Sequence, residues 1–151
     1  MEYQIVKKPK FRVVGMEINT TMIDGKHAKD CPMVWEKFMP REKEIKNLNP
    51  GICYGLCIMK NENEFRYIAA VESDGEIPKG MIELEIPESE YIKTTHKGHI
   101  SKVGQTWNLL MLELLPTSGK IGDMNGISFE YYDARYKNDE TNETDIYLPV
   151  K

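Results

Sequence analysis

Cysteine is scarce, long apolar runs are missing, and positive charge is not in excess. Only three cysteines occur in 151 residues, Cys31, Cys53 and Cys57. An odd, sparse set fits no disulfide framework, and with three scattered histidines it makes no zinc site of closed spacing. The expectation is small core thiols in a reducing cytoplasm, with no metal and no cofactor. No stretch approaches the roughly 18 apolar residues of a membrane span. The opening MEYQIVKKPK has basic residues but no apolar segment behind them, so it does not read as a secretion signal. A net charge of -4 and a pI near 5.5 argue against holding DNA by phosphate neutralisation. Neither GxGxxG nor GxxxxGK[ST] is present, and Ser118 in PTSGK lacks the strand-to-helix setting of a serine nucleophile.

What is present suits one globular unit of the α+β class. Hydrophobic residues make up 40% of the chain and charged residues 29%, enough for a sizeable core without a covalent staple. Phe11–Thr21 alternates apolar and polar positions and reads as a strand. Asp30–Leu48 reads as a helix: Asp30 can cap it, Pro32 suits its first turn, and Pro40 should kink or split it. Ile52–Met59 and Phe65–Val71 flank Asn61-Glu62-Asn63-Glu64, a hairpin pattern.

Beyond the Gly/Pro-rich stretch Asp74–Gly80 the order repeats. Met81–Ile86 and Tyr91–His96 read as extended. Ile100, Val103, Trp107, Leu110, Met111 and Leu114 share a helix face that stops at Pro116 and Gly119. Ile127–Ala134 and Asp145–Val150 read as closing strands. Two pseudo-repeated β-α-β-β units follow, about 1–73 and 81–151, predicting antiparallel sheets with two main helices on one side.

Candidate chemistry concentrates in Gly126–Arg135, GISFEYYDAR. On a strand, Ile127, Phe129 and Tyr131 point one way, and Ser128, Glu130 and Tyr132 the other. A carboxylate amid aromatics is either on a solvated face or a buried counter-ion with a raised pKa, and the residues alone leave both open. Eight tyrosines, two tryptophans and nine methionines suit an adaptable aromatic pocket for flat organic cations, or ordinary core filling. His96 offers a general base or a structural histidine. Lys7, Lys8, Lys10 and Arg12 form a small basic patch that reads as a solubilised strand edge.

Several segments in order carry a resemblance. They are Val34-Trp35-Glu36-Lys37-Phe38, Tyr67-Ile68-Ala69, Ile86-Pro87 with Tyr91, His96-Lys97-Gly98, Leu115-Pro116-Thr117-Ser118-Gly119, Phe129-Glu130-Tyr131-Tyr132-Asp133 and Asp145–Lys151. The chain resembles the GyrI-like small-molecule-binding domain, also described as the AraC-type or bacterial transcription activator effector-binding domain. The resemblance implies a pseudo-twofold pair of βαββ units with a ligand groove between them. In relatives fused to helix-turn-helix domains, a glutamate and aromatics hold bulky apolar cations. Carried over, Glu130 takes the glutamate's place, and Tyr132, Tyr54, Tyr67 and Trp35 become candidate walls.

The implied function is a stand-alone, cytoplasmic effector-binding domain for a hydrophobic, cationic or aromatic small molecule, in transcription regulation or drug sensing, without direct DNA or membrane binding. The alternatives are a cofactor-free hydrolase that opens strained rings, using Glu130 and Tyr132, and a gyrase-inhibitor-like module with a protein partner. Two departures bear on the ligand: Leu114-Leu115-Pro116 stands where relatives often have Trp-Leu-Pro, and Lys120 where they often have an aromatic.

Overall fold

A computed structural model describes residues 1–151. The strands are β1 (Gln4–Lys8), β2 (Phe11–Thr21), β3 (Cys53–Met59), β4 (Glu64–Glu72), β5 (Ile82–Ile86), β6 (Ser89–Lys97), β7 (Ser128–Tyr132) and β8 (Glu143–Val150). They form one eight-stranded antiparallel sheet of order β1-β6-β8-β7-β3-β4-β2-β5. The two expected halves are thus fused at the β7–β3 pair into a single sheet. Each half is led by a further strand, β5 at the expected Met81–Ile86 and β1 where none was expected, and each leader pairs with the other half: β1 with β6, β5 with β2.

That exchange forces the sheet to curl. Strand β1 is first in the sheet and β2 seventh, about 29 Å apart if the sheet were flat. Only Pro9 and Lys10 join them, a link that reaches about 10 Å. Pro87 and Glu88 join β5 to β6 under the same constraint. Inside the curl lies a core of Val13, Tyr54, Leu56, Ile68, Ala70, Ile86, Tyr91, Phe129 and Tyr147. Burying each such large side chain is worth roughly 1.5–3 kcal/mol, so this core is the main lock between the halves.

The helices cover the other face. Helix α1 (His27–Phe38) packs Val34 and Phe38 with Val14, Phe65, Ala69 and Val71. It starts earlier than its apolar pattern suggested. Asp30 is not its cap: it is buried, accepting from Thr20 Oγ1 at 2.8 Å and paired to Lys26 Nζ at 2.9 Å. The helix ends before Pro40, and Met39–Glu44 continues as a 3₁₀ segment.

Helix α2 (Val103–Leu109) passes through a π turn (Leu110–Leu114) into α3 (Leu115–Ser118). Here Pro116 does not stop the helix. The widened turn before it accommodates the missing N–H, and Gly119 at φ 76° ends the run. Leu110, Ile92, Ile146 and Val150 form the core beneath α2. No helix is long and apolar enough to cross a membrane.

Candidate functional site

Alternation along β7 sends Phe129 and Tyr131 into the curl and Glu130 and Tyr132 to the helical face, between α1 and α2. Both carboxylate oxygens of Glu130 are engaged. Trp107 Nε1 of α2 donates to Oε2 at 2.9 Å, and Tyr132 Oη donates to Oε1 at 2.5 Å. From α1, Trp35 Nε1 donates to Tyr67 Oη at 2.8 Å. The Trp35 ring meets Tyr132 edge-on, centroids 5.5 Å apart. Glu130, Tyr132, Trp35 and Trp107 are each half-buried, while Tyr67 is buried beneath them. One indole from each helix and two phenols therefore surround one carboxylate.

The floor is Gly55. It pairs with Glu130 across β3–β7, and a β-carbon placed there would lie 2.3 Å from Tyr67 Oη and 3.3 Å from Glu130 Oε1. Only a glycine leaves that space to the two polar groups. Beneath α2, His96 is buried. Its Nε2 donates to the carbonyl of His99 at 3.0 Å, since a carbonyl can only accept, and its Nδ1 accepts from Thr106 Oγ1 at 2.6 Å. Thr106 directly precedes Trp107, so this buried pair fixes the helix turn that carries the indole.

Burial raises the Glu130 carboxyl above the usual carboxylate range, opposed by hydrogen bonds from Tyr132 and Trp107. Burial, reinforced by the Glu130 charge, pushes the Tyr67 and Tyr132 phenols well up, so they stay protonated donors. Cys31 and Cys57 face the same carboxylate. Burial raises Cys31 to about 12 and lifts Cys57 well above a free thiol, which leaves both as poor nucleophiles. The three cysteines are free and only partly buried, and no group of three or more His, Cys, Asp or Glu converges to hold a metal ion.

Of the five residues singled out in the sequence, the structure brings together Glu130, Tyr132, Tyr67 and Trp35. Tyr54 lies apart, on the inner face, packed on Phe11, Phe129 and Tyr131 with its hydroxyl 3.4 Å from Glu72. His96 stands as a positioning residue behind Trp107, not as an exposed base. Gly55 enters as a site residue that the pattern did not single out, whereas Trp107, read on an apolar helix face as a stand-in for the missing groove aromatics, enters as a donor to the carboxylate. An interior strand glycine was the available signal for Gly55.

The chain is 32% identical over 155 residues to the transcriptional regulator BrlR of Pseudomonas aeruginosa, covering 99% of this chain and 56% of that regulator. It thus spans about half the length of the curated relative it matches. Among solved structures, SAV2435 bound to tetraphenylphosphonium superposes with a TM-score of 0.81 at 21% identity, covering 100% of this chain and 94% of that one. EcmrR, in its complex with DNA, gives 0.68 at 19% identity, covering 99% of this chain and 57% of the other. These likenesses agree with the curled antiparallel sheet and paired helices. The profile of the GyrI-like small molecule binding domain matches residues 1–151, and the chain belongs to that family.

Proposed function

We propose that this domain captures a hydrophobic, cationic or aromatic small molecule in the groove between α1 and α2, with Glu130 as the acceptor of positive charge. One observation carries the reading: a half-buried carboxylate held among Trp35, Trp107, Tyr67 and Tyr132. Aromatic faces attract cations and supply apolar area, and a partly desolvated carboxylate attracts them further. SAV2435, a similar fold, was solved with tetraphenylphosphonium, which supports a lipophilic cation as the ligand class here. The larger length of BrlR and of the DNA-bound EcmrR supports a role as the sensing half of drug- or toxin-responsive transcription control. The chain's only two tryptophans both donate within this cluster, so a ligand bound there should change tryptophan fluorescence directly. Saturable quenching by a lipophilic cation, reduced in both Trp35→Phe and Trp107→Phe, is the expected result. Quenching unchanged in both variants would place the ligand elsewhere.

A second reading rests on the Tyr132–Glu130 hydrogen bond. A carboxyl with a raised pKa beside a phenol is an acid–base pair, suited to adding water to a strained carbon electrophile without a cofactor. Single-turnover hydrolysis of a cyclopropane-bearing alkylator, abolished by Glu130→Gln, would establish it. No turnover in the wild type would leave the binder alone.

A further inference from the structure

The inner face of the curl carries a second group that the groove does not use. Lys7 and Lys8 are neighbours on β1 and point to opposite sides of it. Lys7 is exposed and paired to Glu88 at 3.2 Å. Lys8 is half-buried, forms no salt bridge, and lies across four rings, 5.3 Å from the centroid of Tyr147, 5.5 Å from Phe11, 5.8 Å from Tyr131 and 5.9 Å from Phe129. A second ammonium, Lys93, lies 5.6 Å from the same Tyr147 ring.

We propose that Lys8 is a carbonyl-capturing amine, which condenses with aromatic aldehydes on this aromatic platform. A lysine becomes nucleophilic when it is desolvated or set beside another cation, because both disfavour the ammonium. Lys8 meets both conditions. Glu72 of β4 favours the ammonium, and Lys93 of β6 opposes it. Asp145 of β8 is already taken by Arg135, Thr95 and Lys93. The phenols of Tyr54, Tyr131 and Tyr147 are all raised by burial, Tyr147 to about 12, so none supplies a phenolate. Desolvation is the largest influence on Lys8, and its pKa falls below the ordinary lysine value.

The four rings do not cancel this reactivity. They attract the compact ammonium, but they attract a flat protonated imine as well, and that larger cation is more weakly hydrated and gives up less on leaving water. The step itself balances. The neutral Lys8 amine attacks the aldehyde carbon and forms a C–N bond, and the carbonyl oxygen takes the proton that nitrogen releases. The resulting carbinolamine then loses one water to give the imine, with no oxidant or reductant consumed.

The test uses the wild-type protein with 4-nitrobenzaldehyde and, separately, acetaldehyde at pH 7. Cyanoborohydride traps the imines and fragment-ion sequencing locates them. Lys7 is the internal control. Lys8 should be labelled by the aromatic aldehyde at least about threefold faster than Lys7, despite its lower exposure, and the ratio should shrink with acetaldehyde. Lys8→Arg, which keeps the charge, should abolish the fast phase, and Lys7→Arg should keep it. Labelling of Lys8 at or below the rate of Lys7, or the same ratio with both aldehydes, would overturn the proposal.

Discussion

Gly55 stands opposite Glu130 in the sheet, and the space a β-carbon would fill is taken by the Tyr67 hydroxyl and the Glu130 carboxylate. The polar cluster around Glu130 is thus built over bare backbone. Gly55→Ala should destabilise the protein by about 1–3 kcal/mol, the range for overpacking a tight interior. Removing the obstructing oxygen in Gly55→Ala/Tyr67→Phe should recover part of that loss. Urea unfolding of the four proteins of this cycle checks it. Additive effects would mean that Tyr67 Oη does not set the requirement for glycine.

Glu130 should make stability depend on pH in a definite direction. Burial raises its pKa in the folded state, so between the ordinary carboxylate value and that raised value the native protein binds more protons than the unfolded chain. Stability is lost as pH rises through this interval, and the loss is complete above it. Glu130→Gln cannot undergo this loss. The stability of Glu130→Gln relative to wild type should therefore grow as pH rises through that interval and level above it. Denaturant titrations across that range measure it, and a flat or falling difference would show that the carboxyl is not destabilised by burial.

The buried His96–Thr106 pair should matter through the position of Trp107. Thr106→Val keeps the shape but leaves His96 Nδ1 without a donor, at a cost of about 1–3 kcal/mol. Thr106→Ser retains the hydroxyl and should cost less. Trp107 emission should shift in the Val variant as its hydrogen bond to Glu130 loosens. An unchanged spectrum would separate His96 from the groove.

Much of the architecture was legible because strand alternation and helix periodicity are local signals. The facing of Glu130 with Tyr132, away from Phe129 and Tyr131, followed from period two alone and agrees with the observed core. The same alternation puts Tyr54 on one face with Leu56 and Ile58, but no local signal said which face of β3 joins Glu130. That is fixed by the β3–β7 register, which sets Gly55 and not Tyr54 opposite it. Strand β1 was missed because QIVKK is short and basic, and its partner β6 lies some eighty residues away. The indole of Trp107 sat within a recognised apolar helix face, and its donor role depends on a carboxylate brought in from another element.

The central claim is that Glu130 selects positive charge in an aromatic groove. Tetraphenylphosphonium and tetraphenylborate have nearly the same size and shape and opposite charge, so calorimetric titration of both isolates the electrostatic contribution. The phosphonium should bind and the borate should bind far more weakly. Glu130→Gln should weaken the phosphonium by about 1.5–3 kcal/mol, roughly 10- to 150-fold, and leave the borate no weaker. Equal affinities for the two ions, or phosphonium binding untouched by Glu130→Gln, would contradict the account.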